Sequence, residues 1–186
     1  MTEGEIFDKV DFKKSPLATS EFDACSFKGC NFSGIDLSDV SFMECEFEQC
    51  DFSNAKLNQT GFKDVRFDNC KMMGLNFEDC NDFLLEMQFK QCLLNHASFS
   101  QMNLKGIRFD NCSLFEADFT EGDLSNATFD QCNMEGTKFE HTNLERADFS
   151  EAFNYSLDPE LNRINKAKFS RDGVIGLLSK YNLEIL

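Results

Sequence analysis

A bulky apolar residue recurs at every fifth position through most of the chain; Phe7, Phe12, Leu17, Phe22, Phe27, Phe32 and Leu37 open the series. A helix repeats about every 3.6 residues and a strand about every 2, so neither carries this beat. A period of five fits a chain that turns a corner after each short extended piece. Two residues before each bulky one sits a second, usually small residue, such as Cys25, Cys30, Ile35, Val40, Ala97, Ala117 or Ala127. The other three positions are mostly Asp, Asn, Ser, Glu, Lys and Gly. Each unit therefore reads small, polar, large, polar, polar, with two residues in five pointing inward. Four such sides close a square coil of about twenty residues, whose backbone pairs with the next coil ~4.8 Å away.

The beat falters once, in FEDCNDFLLEMQF at residues 77 to 89, and resumes two residues late. Let side one be the side that holds Phe7, and let Leu84 take the slot due at position 82. Side one then stacks Phe7, Phe27, Phe47, Phe67, Phe89, Phe109, Phe129 and Phe149, and the small column of side two reads Cys30, Cys50, Cys70, Cys92, Cys112 and Cys132. Both columns pass through the fault. The expectation is one continuous solenoid over residues 1–151, with a two-residue bulge near 78–83 that puts Asp82 and Phe83 outside the wall. All nine cysteines lie on the beat, which no disulfide or metal framework has reason to follow. They behave as small buried apolar residues. Cysteines stacked one strand spacing apart sit wider than the ~3.8 Å between Cβ atoms of a disulfide, so free thiols are predicted.

The formal net charge of -15 disfavours nucleic acid and anionic membranes and favours basic partners. No apolar run approaches the ~20 residues of a membrane span. The N-terminus, MTEGEIFDKVDFKK, lacks a basic region followed by an apolar stretch. These features lead to the expectation of a cytoplasmic protein with no membrane and no direct nucleic-acid contact. The acidity concentrates on two sides of the coil. Asp36, Asp39, Glu78, Asp79, Asp118, Glu121 and Glu140 fall on side three, and Asp64, Glu86 and Asp123 are among the acids of side four. These ten form the candidate partner-binding surface. Side two places Met73, Leu93 and Phe115 at outward slots, which with Phe83 at the bulge make a candidate apolar patch.

Little in the sequence suggests catalysis. His96 and His141 are the only histidines, and both fall at outward positions. Carboxylates on a convex, solvated side lack the cleft that general acid catalysis needs, and a filled solenoid is expected to offer none. A non-enzymatic protein is expected, and no cofactor or metal is implied. The tail over 152–186 breaks the beat. Asp158-Pro159 reads as the start of a short helix through about Ile164. Ser170 opens a second, with Val174, Leu177, Leu178 and Tyr181 on one face and Asn182 as its stop. A short C-terminal α-helical cap is therefore expected, covering the open end of the solenoid or pairing two chains.

The stretches CSFKGCNFSGIDLSDVSF and ADFTEGDLSNATF resemble the A(D/N)LXX pattern of the pentapeptide-repeat family, over about residues 5 to 151. That resemblance implies an all-β fold, a right-handed quadrilateral β-helix. NYSLDPELNRI, followed by an amphipathic segment, resembles the ends of topoisomerase-protecting members of the quinolone-resistance and microcin-immunity type. This second resemblance implies a homodimer through the C-terminal segment. It also implies an acidic rod that imitates duplex DNA and engages DNA gyrase or topoisomerase IV. The alternative expectation is an interaction scaffold that binds through its apolar patch and has no link to topoisomerases.

Overall fold

The computed structural model describes residues 1–184. The chain winds as a parallel β-solenoid of about eight turns. Side one is a nine-stranded sheet, from Ile6–Asp8 through Val65–Asp68 and Met87–Lys90 to Lys168–Phe169. Side four opens as a four-stranded sheet of Thr2–Glu3, Glu21–Asp23, Ser41–Met43 and Gly61–Lys63. Sides two and three are held by single bridges, such as Asp11 to Asn31 and Asp118 to Lys138. Phe27 faces Phe47, and Phe109 faces Phe129. Like therefore stacks on like, as the beat requires.

The polar positions of the unit make the corners. Its last residue takes a left-handed backbone, with φ of 50° at Glu44, 55° at Gln49 and 60° at Asn126. Such a backbone costs a residue with a Cβ about 1–2 kcal/mol, least for Asn and Asp. Asp or Asn just before the large residue serves a second purpose. Its carboxylate or amide oxygen accepts the backbone N–H two residues on, at 3.0 Å for Asn31 and Ser33 and 2.9 Å for Asp51 and Ser53. Much of the Asp and Asn content is thus turn chemistry.

Inside, the Phe columns combine two ring geometries. Rings stack along a side, as in Phe27 on Phe47 at 4.7 Å and Phe109 on Phe129 at 5.5 Å. They meet edge to face between sides, as in Phe109 and Phe119 at 5.9 Å. All nine cysteines are buried free thiols. All of those stacked on side two but Cys112 donate to the carbonyl of the large residue one coil back, as in Cys50 Sγ to Phe27 O and Cys70 Sγ to Phe47 O, both at 3.3 Å. Thr137 Oγ1 reaches Leu114 O in the same way at 2.8 Å. The small inward position therefore suits a short side chain with one donor. Burial pushes the Cys45 and Cys80 thiols up to about 12.

The fault sits slightly later than the sequence placed it. Asn81 still bridges Gly61 in the twenty-residue register, whereas Met87 faces Val65 in a register of twenty-two. The extra residues thus fall between 81 and 87 rather than near 78–83, and Phe77–Asp79 is a single 3-10 turn. Leu84 does not fill the inward slot: its φ is 58° and it is 65% exposed. Leu85 packs against the core in its place, because a turn closed by Leu85 N–H on Asp82 O carries residues 83 and 84 outward.

The tail also departs from expectation, since it contains no α-helix among the described residues. Asn162 to Ile164 continue the wall instead, with Arg163 bridged to Asn143, and Phe169 pairs with Phe149. The five-residue beat outweighed the helical spacing there. Beyond it come two 3-10 turns, Gly173–Leu177 and Ser179–Tyr181, ended by Asn182 at φ 49°. Two glycines explain the failure to form a longer helix. They lower helix propensity, and they let the backbone lie on Tyr155. A Cβ at Gly173 would strike the Tyr155 hydroxyl, and one at Gly176 the Tyr155 carbonyl. Tyr155 is itself buried against Phe149 at 5.4 Å and Phe169 at 5.9 Å, which closes this end of the core. Of the four residues assigned to a cap helix, Leu177 packs on the core, while Val174, Leu178 and Tyr181 are exposed. Gly176→Ala should therefore undock the tail. The expected outcome is faster proteolysis after residue 170 and a melting temperature lower by ~2–4 °C per kcal/mol lost, at this chain length.

Candidate functional site

The ten candidate acids fall into distinct classes. Asp36, Asp118 and Asp123 precede a large residue and are locked into the wall. Asp36 and Asp118 also face lysines one coil on, Lys56 at 3.8 Å and Lys138 at 3.9 Å. Hydrogen bonds from the Ser38 hydroxyl and backbone N–H hold the Asp36 carboxyl below the usual range. At Asp123 partial burial opposes the charge, but the Ser125 N–H at 2.8 Å, the Ser125 hydroxyl and Asn143 Nδ2 at 3.0 Å outweigh it, and the pKa is lowered. Asp64 is engaged by Arg66 at 3.4 Å.

The remaining six acids, Glu121 apart, make no side-chain hydrogen bond or ion pair to the wall among the described residues. Asp39, Glu78, Asp79, Glu86 and Glu140 carry no ion pair among the described residues. Asp39, Asp79 and Glu121 share one column, with Gln59 and Gln101 between them. Gln101 Nε2 donates to Glu121 Oε2 at 3.0 Å. These three, with Glu78 and Glu140, line the corner between sides three and four. Five coil steps separate Asp39 from Glu140, about 24 Å at the sheet spacing, so the ridge carries roughly one carboxylate per 5 Å. Glu86 stands at the next corner, past the bulge.

The ridge runs past a break in the wall. Among the described residues, no bridge joins Lys56 to Asn76 on side three or Asn81 to Asn103 on side four, although both sides pair again beyond. A cleft opens there, lined by Gln59, Glu78, Asn81, Leu85, Gln101 and Lys105 among others. The expectation of a solenoid without clefts is thereby corrected: the missing bridge between Asn81 and Asn103 leaves this space, and the one between Lys56 and Asn76 leaves a separate, smaller hollow. The turn at 82–85 stands beside this cleft. Phe83 N–H donates to Asn81 Oδ1 at 2.9 Å, and Lys63 Nζ sits 5.2 Å from the Phe83 ring centre.

The apolar candidates do not form one patch. Met73 and Leu93 stand 37% and 41% exposed on side two. Phe115, on the same side, is partly covered by the edge of His96 at 5.6 Å, and His96 Nδ1 lies 3.1 Å from Glu116 Oε2. Phe83 is on side four, the opposite wall. Sequence reasoning missed Phe153, which is exposed and bridged to Asn133, and so extends the side-two row. The signal was its place twenty residues after Asn133. No helix among the described residues is long and apolar enough to cross a membrane.

Two family descriptions match the chain: "Pentapeptide repeat region" over residues 40–119, and "Pentapeptide repeats (8 copies)" over 20–59 and 129–153. A comparison with curated proteins found no match. Among solved structures, full-length QnrB1, a plasmid-mediated fluoroquinolone resistance protein, is similar at 19% identity and a TM-score of 0.46, over 97% of this chain and 99% of that one. HetL, a pentapeptide repeat protein involved in heterocyst differentiation regulation in the cyanobacterium Nostoc sp. strain PCC 7120, matches at 15% identity and a TM-score of 0.28. That match covers 90% of this chain and 82% of HetL. Rfr23 from the cyanobacterium Cyanothece 51142 matches at 12% identity and 0.28, over 82% and 89%.

The lowered carboxyls carry a pH signature. A carboxyl whose pKa falls on folding adds stability above its unfolded value of about 3.9 and loses that contribution as pH drops through the folded value. Asp123→Asn should therefore lower the urea midpoint at pH 7, and the difference from the parent should shrink as pH falls below about 4.

Proposed function

The chain belongs to the pentapeptide-repeat family, and on that basis we propose that it is a non-enzymatic acidic rod that binds the basic, duplex-binding surface of a type II topoisomerase, DNA gyrase or topoisomerase IV. The observation that carries this reading is the ridge of Asp39, Glu78, Asp79, Glu121 and Glu140, which holds charge along one corner without committing it to the fold. Duplex DNA presents one charge per ~1.7 Å of axis, and a rod edge averaging one carboxylate per ~5 Å, with neutral levels at Gln59 and Gln101, imitates that field coarsely. The resemblance of NYSLDPELNRI to topoisomerase-protecting relatives supports the same partner.

The ridge acids support little of the wall, so they can be neutralised without unfolding it. The variant Asp39→Asn, Glu78→Gln, Asp79→Asn, Glu121→Gln, Glu140→Gln should bind gyrase at least roughly tenfold more weakly at low salt, with a flatter salt dependence. The measurement is affinity across a salt series, alongside a supercoiling assay with and without a quinolone. Undiminished binding by this variant would sink the proposal. A second reading, a scaffold unrelated to topoisomerases, is favoured by Met73, Leu93 and Phe153 standing exposed on one wall. It predicts binding to its own partner that ignores salt.

A homodimer through the C-terminal segment belongs to the first reading. Val174, Ile175, Leu178 and Tyr181 are all exposed there, a cluster that a second copy would cover. Light scattering should then give a mass near twice 21.3 kDa. A monomer at micromolar concentration would remove the dimer and leave the ridge reading intact.

A further inference from the structure

Leu84 is the one large apolar side chain among the non-glycine residues held at positive φ in the described chain. The others are Asn, Gln, Asp, Glu, Lys, Arg, His and a single Ala. Leucine there is doubly unfavourable. Its backbone sits at φ 58°, where a Cβ is strained, and its side chain is 65% exposed. Phe83 beside it is equally exposed at 65%. Neither side chain is buried in the core, so the fold gives no reason for either. Strain of this kind points to a use outside the fold.

The two residues are nevertheless held in place. Asn81 Oδ1 accepts the Phe83 N–H, the turn closes through Leu85 N–H on Asp82 O, and Leu85 anchors it to the core. Lys63 lies over the Phe83 ring. The tip therefore presents a pre-ordered aromatic and aliphatic pair, which costs little entropy to dock. Leu84 shares its cleft with Glu78 of the ridge, and Asp82 and Glu86 flank the pair in the chain.

We propose that Phe83 and Leu84 form the specificity anchor of the acidic ridge, inserting into an apolar hollow on the partner that is rimmed by Lys and Arg. This rests on the preceding reading that the partner is a basic, duplex-binding protein surface. Charge complementarity fixes the kind of partner: a purely apolar surface would leave the flanking carboxylates facing low dielectric, and a purely basic one would leave Phe83 and Leu84 in water. The ridge would bring the rod to any duplex-binding groove, and the anchor would select one that also has the hollow.

The test is gyrase titrated with the full chain and with Phe83→Ser/Leu84→Gly, from about 50 to 300 mM salt, the range over which charge contacts weaken steeply. Glycine removes the strain at position 84, so this variant should melt at or above the parent temperature. The expected result is affinity lower by roughly thirtyfold at every salt concentration, with the salt slope unchanged. Binding within about twofold of the parent, or a loss that appears only as a changed salt slope, overturns the anchor while the ridge reading stands. If the parent itself fails to bind gyrase at low salt, the topoisomerase reading falls and takes this anchor's partner with it.

Discussion

Each coil of this protein is held to the next by a parallel backbone ladder in a twenty-residue register. That pairing decides almost everything else. It forces every side chain to meet its equivalent one coil away, so each position on the square becomes a column of like residues. A column of phenylalanines stacks with profit, and a column of thiols finds a carbonyl one coil back. A column of carboxylates is a problem, since like charges one strand spacing apart repel.

The surface is arranged around that repulsion. Several wall acids meet a lysine or arginine in the next coil, as with Asp36 and Lys56, Glu46 and Arg66, or Asp68 and Lys90, although Glu48 faces Asp68 and Asp110 faces Asp130. Along the ridge, glutamines alternate with Asp39, Asp79 and Glu121. The wall acids thus serve turns and ladders, and those at the three–four corner take little part in either. Exposed ion pairs of this sort add little stability each; their use here is to keep the stacked wall from being all of one sign.

Most of the solenoid was legible because inward positions obey a strict spacing: the side-one phenylalanines and the side-two cysteines mapped directly onto buried columns. The errors arose where two periods competed. Ile164 and Phe169 keep the beat, yet Asp158-Pro159 nearby carries a helix-start signal, and the wall there was read as helix. At the fault, the spacing pointed to Leu84 as the filler, and turn geometry put the equally apolar Leu85 there instead. The left-handed corners were also hidden, because polar residues at that position look like ordinary surface. Sorting acids by role needed the hydrogen bonds: nothing in composition separates Asp123, which caps a turn, from Asp79, which does not.

The missing bridges around Asn76 and Asn81 have a mechanical meaning. Sides one and two keep their ladders there, while side three lacks the bridge from Lys56 to Asn76 and side four, one coil later, lacks the bridge from Asn81 to Asn103. The two gaps are thus staggered along the rod on either side of a shared corner, which still keeps the Gln59 N–H to Asp79 O bond at 2.7 Å. With fewer cross-coil bonds to break, local opening of the wall costs least at that corner, beside Glu78 and Asp79.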